Sequence, residues 1–230
     1  MKHVVILSGA GLSAESGLPT FRSSDGLWEG HRIEDVATPE AWQRNPQLVL
    51  NFYNERRKKA RGVRPNRGHE LIAELEDYFK VSVITQNVDD LHEKAGSSNV
   101  LHIHGSLFES RSTYDESLVY PMKHWEMKLG DTCEKGYQLR PNIVWFNENV
   151  PLLDHACEVT SSAEAFVVVG TSLQVYPAAG LIHLLPDSVP KFLVDPNLPS
   201  VERVKHLECF AESASTGMAK VRDRLMTILG

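Results

Sequence analysis

The sequence predicts an α/β fold built on a parallel sheet with helices on both faces, together with a smaller lid domain. Five short runs of β-branched and apolar residues alternate with helix-like segments, and glycine or polar residues follow each run. The runs lie at residues 4–7, 81–84, 100–103, 166–169 and 192–194. Such runs are typical of buried parallel strands. Because ligands bind beyond the carboxyl ends of these strands, the polar residues that follow them are expected to converge on one crevice.

Composition narrows the class of protein and its partners. The chain has 230 residues, of which 42% are hydrophobic, so it can bury the core of one large domain or of one domain with a modest insertion. A net charge of -6 predicts no nucleic-acid partner. The three dispersed cysteines predict no disulfide framework and a cytoplasmic location. The longest apolar run near the amino terminus is too short for a signal peptide, and no membrane partner is expected. The oligomeric state stays undetermined.

Helical spacing of apolar residues predicts three longer helices. The first covers residues 39–61, and Pro46 is a point at which it can break. The others cover about 68–79 and about 215–229, whereas residues 106–140 are polar and irregular, with two short candidate strands. One catalytic unit of 1–230 is predicted, with a sheet-containing part at about 1–25, 63–105 and 142–230, and a small domain at about 26–62 and 106–141.

A glycine-rich turn follows the first predicted strand. Residues 9–14, GAGLSA, fit the dinucleotide fingerprint G-x-G-x-x-A, in which glycines allow backbone amides to approach a pyrophosphate at a helix start. The sheet is therefore predicted to be Rossmann-like, although a simple glycine turn is the alternative for so short a motif. A dehydrogenase would also have an acidic residue about 20 positions later, at the end of a second strand. Glu29 has that spacing but lies in a glycine- and serine-rich segment, which disfavours hydride transfer.

Five motifs in order give the chain a resemblance to the sirtuins, from residue 9 to about 180. The first is GAGLSAESGLPTFR at 9–22. The others are TQNVDDLH at 85–92, HIHG at 102–105, LRPNIVWF at 139–146, and GTSL at 170–173 with PAA at 177–179. The resemblance implies a Rossmann-type domain joined to a small domain, in agreement with the layout predicted above.

The resemblance also implies that NAD is consumed as a co-substrate. The bond between ribose and nicotinamide breaks, the acyl group leaves an acylated lysine of a protein or peptide, and the products are nicotinamide, free lysine and O-acyl-ADP-ribose. His104 would be the base that takes a proton from a ribose hydroxyl, a role worth roughly 100- to 10,000-fold in rate, and Asn87 would be the second catalytic residue. From the residues alone, His104 could also be a buried structural histidine, or a metal ligand together with His102 on the same strand face.

The same resemblance assigns a set of NAD-binding residues. Asn87 and Asp89 would face the nicotinamide and its ribose, Gln86 a ribose, Arg22 the phosphates and Ala214 the adenine. Ordinary turn chemistry is the alternative for the first three, and a solvated surface arginine is the alternative for Arg22. The full set is Gly9, Ala10, Gly11, Ser13, Ser16, Thr20, Phe21, Arg22, Trp28, Gln86, Asn87, Asp89, Gly170, Thr171, Ser172, Asp195 and Ala214.

A predicted acyl pocket lies on the helix that follows residue 37. Tyr53 and Arg56 are three apart and so share a helix face, and with Ala37 they match the pocket of sirtuins that prefer succinyl- and malonyl-lysine. The activities expected are therefore desuccinylation and demalonylation, with deacetylation. An exposed basic helix end is the alternative interpretation of Arg56. The alternatives for the whole protein are an ADP-ribosyltransferase and a non-catalytic NAD- or ADP-ribose-binding module. The predicted substrate-binding residues are Ala37, Tyr53, Arg56, Val144, Trp145 and Phe146.

The chain departs from the family at several positions. Asn147 replaces a usual glycine, and Asp195 replaces a usual asparagine. The four positions at which sirtuins carry zinc-binding cysteines hold Ser112, Asp115, Cys133 and Gly136. Because zinc needs about four good donors, no structural zinc is expected, and the lid is predicted to be held by packing. The residues expected to pack there are Trp125, Met127 and Tyr137.

Overall fold

The computed structural model describes residues 1–20 and 28–230 and contains a large and a small sheet. In chain order the strands are β1 (His3–Ser8), β2 (Lys80–Thr85), β3 (Val100–His102), β4 (Gly105–Ser112), β5 (Val119–Pro121), β6 (Leu139–Ile143), β7 (Ala165–Val169), β8 (Lys191–Val194) and β9 (Leu207–Phe210). The helices are α1 (Ala10–Ala14), α2 (Ile33–Val36), α3 (Pro39–Arg44), α4 (Pro46–Arg61), α5 (Arg67–Glu74), α6 (Leu91–Ala95), α7 (Leu153–Ser161) and α8 (Ala214–Leu229), with 3-10 helices at Leu75–Asp77 and Ala178–Leu184. In the part of the chain that is described, no helix has the length and apolarity needed to cross a membrane.

The large sheet is parallel throughout, with the strand order β3-β2-β1-β7-β8-β9. This confirms the predicted Rossmann-like α/β fold. Two details differ from the sequence prediction. β3 is a half-buried edge strand that ends at His102, so it is shorter and more exposed than the buried strand predicted at 100–103. β9 was not predicted, because its sequence LECF mixes polar with apolar residues on the other edge of the sheet.

Helices cover both faces of this sheet because successive side chains of β1 point to opposite sides. Val4 and Ile6 belong to the core beneath α5 and α8, whereas Val5 and Leu7 belong to the core beneath α7 and the second 3-10 helix. All four side chains are fully buried. The continuous apolar run of β1 therefore reflects burial on two faces, as expected for a central parallel strand.

The small domain consists of the antiparallel sheet β5-β4-β6 and helices α2 to α4. The helix predicted over 39–61 is broken at Asn45, which precedes Pro46 and has a non-helical backbone with φ of -151° and ψ of 76°. A residue before proline is disfavoured in the α conformation. The Asn45 side chain then accepts a hydrogen bond from Leu48 N at 3.1 Å and begins α4. The domain boundaries given above remain a prediction.

The four positions at which sirtuins carry zinc-binding cysteines lie together in the small domain, and only one of them, Cys133, is a cysteine. Cys133 is buried and donates through Sγ to Ser112 Oγ at 3.4 Å, and Lys135 pairs with Asp115 at 2.8 Å. Among residues 1–20 and 28–230, no group of three or more His, Cys, Asp or Glu side chains is arranged to hold a metal ion. The absence of zinc in the protein remains a prediction.

The three side chains expected to pack in the lid occupy different environments. Met127 is buried. Trp125 is half-buried, and the ammonium of Lys58 lies 4.9 Å from its ring centroid. Tyr137 is exposed and its ring stacks on Tyr114 with 4.2 Å between the ring centroids, so it packs at the surface of the lid.

A buried arginine joins α4 to the rest of the small domain. Arg57 is fully buried, and its guanidinium donates to Leu107 O, to Asn54 Oδ1 at 3.0 Å and to Trp125 O at 2.7 Å. In the described part of the chain no acidic side chain pairs with Arg57. Burial lowers the pKa of Arg57 to about 10, and the positive charge of Arg61 acts in the same direction. Backbone and amide oxygens thus replace a counterion.

We predict that Arg57→Met destabilises the protein by about 2–4 kcal/mol, because it leaves several buried acceptors without a donor. Arg61→Met is the matched control, since Arg61 is on the same helix, is exposed and donates to a carbonyl, Met122 O, at 3.2 Å. Urea unfolding of both variants measures the free energy of unfolding. Equal, small losses for both variants would contradict the role of Arg57.

Candidate active site

A cleft of about 520 Å³ lies beyond the carboxyl ends of β1, β2 and β7 and reaches the small domain. The polar residues that follow the three strands converge there, as the sequence predicted. The predicted site residues that line this cleft are Gly9, Ala10, Gly11, Ser13, Thr20, Trp28, Ala37, Tyr53, Arg56, Gln86, Asn87, Asp89, His104, Val144, Trp145, Phe146, Gly170, Thr171, Ser172 and Asp195.

Among the described residues, two predicted cofactor residues are not part of this lining. Ser16 lies behind the glycine turn, where its Oγ accepts a hydrogen bond from Asn66 Nδ2 at 2.9 Å. Ala214 is buried at the start of α8, close to Gly68. Phe21 and Arg22 lie outside the described residues. Contact of these four residues with a cofactor stays a prediction.

The glycine turn after β1 touches the turn after β7 through backbone atoms. Gly11 N donates to Gly170 O at 2.8 Å, and a Cβ on Gly11 would lie 2.8 Å from the same oxygen. Gly170 has φ of +62°, and a Cβ there would lie 2.1 Å from Leu12 N. Both positions therefore require glycine. At these two positions the wall of the cleft has room for backbone and not for a side chain.

Three polar side chains form a hydrogen-bonded chain beside the glycine turn. Asn87 Nδ2 donates to Gly9 O and to Ser13 Oγ, both at 3.1 Å, and Ser13 Oγ donates to Asp89 Oδ2 at 3.0 Å. Burial raises the pKa of Asp89, and the hydrogen bonds from Leu91 N and from Ser13 act against this rise. The amide and the carboxyl group are therefore held in fixed orientations on the cleft wall.

The imidazole of His104 lies beyond the end of β3 and lines the same cleft. Its Nδ1 is 3.3 Å from Gln86 O, which can only accept a hydrogen bond, so we assign the hydrogen to Nδ1. Burial lowers the pKa of His104 below 6.5, although the hydrogen bond to Gln86 O opposes this. The ring is therefore neutral at pH 7, and its Nε2 lone pair can accept a proton.

The metal-ligand alternative placed His102 and His104 on one face of a strand, and this placement is wrong. β3 ends at His102, so the two rings are not presented by one strand. Both nitrogens of His102 are already engaged, Nδ1 with Asn87 O at 3.0 Å and Nε2 with Glu93 Oε1 at 2.6 Å. His102 thus contacts the backbone of Asn87, whose side chain donates to Gly9 O in the glycine turn.

The predicted acyl-pocket residues are brought together at the small-domain end of the cleft. Tyr53 is fully buried, and its Oη accepts a hydrogen bond from Trp145 Nε1 at 3.0 Å. Burial raises the pKa of Tyr53, so the hydroxyl stays protonated and retains a hydrogen to donate. Phe146 N donates to Ala37 O at 3.0 Å, which joins the segment at 144–146 to the end of α2.

The charged end of this pocket contains a residue that sequence reasoning missed. Arg56 Nη1 is 2.9 Å from Glu29 Oε1, and Lys59 Nζ is 2.6 Å from Glu29 Oε2. The Arg56 guanidinium lies 4.2 Å from the centroid of Trp28. Its side chain is only 13% exposed, so the exposed-helix-end interpretation is wrong for this residue. Two cations share one carboxylate, which leaves a net positive charge at the end of the pocket.

No local pattern could have identified Glu29 as the partner of Arg56. The two residues are 27 positions apart, and Glu29 sits in an irregular segment with φ of +48°. Burial lowers the pKa of Arg56, while the charge of Glu29 acts in the opposite direction. Among the described residues, Arg56 Nε has no hydrogen-bond partner.

Comparison with known proteins agrees with this geometry. A model of the Sir2 family matches residues 9–177. A protein of Bacteroides thetaiotaomicron named NAD-dependent protein deacylase is 48% identical over 98% of this chain and 99% of its own length. A Helicobacter pylori protein of the same name is 49% identical over 98% of each chain. A solved Sir2 homologue in complex with NAD superimposes with a TM-score of 0.88 at 36% identity, covering 100% of this chain and 91% of the other. The chain therefore belongs to the Sir2 family, the sirtuins, as its motifs predicted.

Proposed function

We propose that the protein is an NAD-dependent protein lysine deacylase that transfers the acyl group of a modified lysine to ADP-ribose. One observation carries the proposal: a neutral imidazole, His104, lies in the same cleft as the glycine turn and the Tyr53–Arg56 pocket. A base, a cofactor wall and an acyl pocket are thereby within one enclosure. Membership of the Sir2 family and the names of the two relatives support the same activity.

The shape of the cleft fits NAD. Its volume of about 520 Å³ is within the range of small-molecule sites, and the glycine wall leaves backbone rather than side chains at the surface. Residues 9–11 would hold the phosphates, Asp89 the carboxamide, and Gln86 and Thr171 the ribose hydroxyls. α1 has only five residues, so this fit depends on close backbone approach and not on a helix dipole. NAD supplies a ribose carbon from which nicotinamide leaves.

The chain's own groups hold and move one proton. His104 Nε2 accepts a hydrogen from a hydroxyl in the cleft, and the Gln86 carbonyl stabilises the ring by accepting from Nδ1. The Asn87 side chain is oriented by its hydrogen bond to Gly9 O in the glycine turn. It therefore does not have to reorient when ligands bind. Trp28, Trp145 and Phe146 line the small-domain side and exclude water from the reacting groups.

We further propose that succinyl- and malonyl-lysine are preferred, with acetyl-lysine also accepted. The small Ala37 side chain leaves room for the acyl chain, Tyr53 Oη retains a hydrogen to donate, and Arg56 has an unused Nε among the described residues. An incoming carboxylate competes with Glu29 for Arg56 and Lys59. In the free protein, the Glu29 carboxylate therefore occupies the place beside Arg56 and Lys59 that the carboxylate of an acidic acyl group takes in the complex.

The proposal predicts NAD-dependent deacylation that depends on His104. Purified protein, NAD and matched acetyl-, malonyl- and succinyl-lysine peptides should yield nicotinamide, free lysine and O-acyl-ADP-ribose by mass spectrometry. His104→Tyr should lower kcat at least about 100-fold with little loss of NAD binding. His155→Tyr is the matched control, because that ring is on the surface of α7. ADP-ribosylated protein in place of acylated ADP-ribose would indicate transfer, and NAD binding without nicotinamide release would indicate a binding module; either result contradicts the proposal.

The two neighbouring histidines should titrate on opposite sides of pH 6.5. Burial lowers the pKa of both rings, but Glu93 overcomes this for His102 and raises its pKa, whereas His104 has only the Gln86 carbonyl. NMR titration of ring resonances, assigned with His102→Asn and His104→Asn, measures both. At pH 6.5, His102 should be mostly protonated and His104 mostly neutral. Activity should accordingly persist below pH 6.5 and fall as His104 protonates; a His104 pKa above 6.5 would be inconsistent with this account.

The acyl preference should respond in opposite directions to Arg56 and Glu29. Arg56→Met should lower kcat/KM for the succinyl peptide by about 10- to 150-fold and spare the acetyl peptide, because a charge-assisted hydrogen bond is lost. Glu29→Gln should raise kcat/KM for the succinyl peptide about fivefold, since the competing carboxylate is removed. Arg61→Met, on the same helix but outside the cleft lining, is the control. Equal changes on both peptides would refute the pocket assignment.

A further inference from the structure

A second, smaller pocket adjoins the cleft on the small-domain side. Its volume is about 270 Å³, and it is lined by Arg111, Glu116, Asn147, Glu148, Asn149 and Pro151. Asn147 and Glu148 also line the main cleft, so the two openings share a rim. Asn147 has φ of +69° and stands where the family usually has glycine. Neither the motifs nor the proposed deacylation uses this pocket.

Two buried arginines share one half-buried carboxylate at this pocket: Arg111 and Glu148 line it, and Arg140 pairs with Glu148 from outside the lining. The side chains of Arg111 and Arg140 are 7% and 9% exposed, and both contact Glu148. Arg140 is close, with Nη1 at 2.6 Å from Oε1 and Nη2 at 3.1 Å from Oε2, whereas Arg111 Nη2 is 3.3 and 3.4 Å from the two oxygens. Glu116 is 70% exposed and only 3.8 Å from Arg111. The buried part of the cluster therefore has a net positive charge.

Glu148 has little capacity left for Arg111. It also accepts from Trp145 N at 2.7 Å, and Arg140 is further engaged with Ile143 O at 2.9 Å. Burial acts to raise the pKa of Glu148, but Arg140 outweighs this and keeps the carboxyl group ionised. Within the described residues, neither Arg111 Nε nor Arg140 Nε has a hydrogen-bond partner, and of the two arginines only Arg111 lines the pocket. A buried guanidinium with incomplete pairing is costly, and an additional anion would lower that cost.

We propose that this pocket binds the carboxylate of an aspartate or glutamate that lies close to the acyl-lysine in the substrate protein. The inference rests on the proposed function, because it takes the main cleft as the acyl-lysine site. An extended chain advances about 3.3 Å per residue, so a residue a few positions from the lysine reaches the shared rim at Asn147. The incoming carboxylate pairs with Arg111 and displaces the exposed Glu116.

The charge of the pocket favours a carboxylate over a phosphate group. Once Glu116 is displaced, Arg111 and Arg140 carry two positive charges, Glu148 carries one negative charge, and the remaining charge matches a monoanion. A phosphate dianion would exceed this single uncompensated positive charge and would meet the Glu148 carboxylate at short range. The chemistry of the pocket thus selects acidic side chains flanking the modified lysine.

The test compares acyl-lysine peptides that differ by one Asp or Asn, placed in turn at each of about four positions on either side of the lysine. At one or two of these positions Asp should raise kcat/KM about 10-fold over Asn, through KM. Arg111→Gln should remove this ratio and Arg111→Lys should retain part of it. Glu116→Gln and Glu116→Lys should increase the ratio, and these exposed substitutions keep the test available if the Arg111 variants fail to fold.

Binding of the labelled peptides, followed by fluorescence anisotropy without turnover, separates this proposal from the deacylase proposal. Nicotinamide release from the Asn peptides tests deacylation alone. An Asp preference in binding that depends on Arg111 and Glu116 supports the pocket even if no peptide is turned over. Equal binding of Asp and Asn peptides at every position, or a preference unchanged in all four variants, overturns the pocket. Tighter binding of a phosphoserine peptide than of the Asp peptide contradicts its assignment to a monoanion.

Discussion

The backbone contact between the turns after β1 and β7 determines the geometry of the cleft. Gly11 N bonds to Gly170 O, and a methyl group on either glycine would overlap backbone atoms of the other turn. The remaining site is organised around this contact. Asn87 Nδ2 donates to Gly9 O, and Ser13 Oγ donates to Asp89 Oδ2. The Gln86 carbonyl orients the ring of His104. An imidazole, an amide and a carboxyl group are thus positioned beside the two glycine turns.

The small domain contributes the second side of the cleft by a different physical means. Its helices and sheet are joined by buried cations that donate to oxygens: Arg57 donates to carbonyls and an amide, and Arg140 donates to Glu148. Buried charges of this kind need nearly complete hydrogen bonding. One nitrogen of each of Arg56, Arg57, Arg111 and Arg140 lacks a hydrogen-bond partner among the described residues. Of these four side chains, only Arg56 and Arg111 also line one of the two pockets, and these are the two proposed to meet an anion.

Much of the sheet and of the cleft could be predicted from local sequence. β1, β2, β7 and β8 are continuous apolar runs because both faces are covered, and the polar residues after the first three of these strands meet because parallel strands end at the same edge. The edges of the sheet were harder to predict. β9 carries Glu208 and Cys209 within four residues, so its pattern does not differ from that of a loop, and β3 is shorter than its apolar run suggests.

The ion-pair partners of Arg56 and Arg111 could not be predicted, because residues far apart in the sequence form these pairs and no spacing pattern relates them. Arg56 has its position from helical periodicity, but its pairing with Glu29 depends on a segment 27 residues earlier, and the contact of Arg111 with Glu148 spans 37 residues. For His102 the sequence spacing was misleading. Its two-residue separation from His104 is typical of side chains on one strand face, but β3 ends at His102.

A crystal structure of the protein with NAD and an unreactive acyl-lysine peptide tests the central claim most directly. We expect a ribose hydroxyl within hydrogen-bond reach of His104 Nε2, roughly 2.6–3.2 Å, with the acyl group between Ala37 and Tyr53. Bound NAD whose ribose faces away from His104, or a peptide seated outside the cleft, would contradict it.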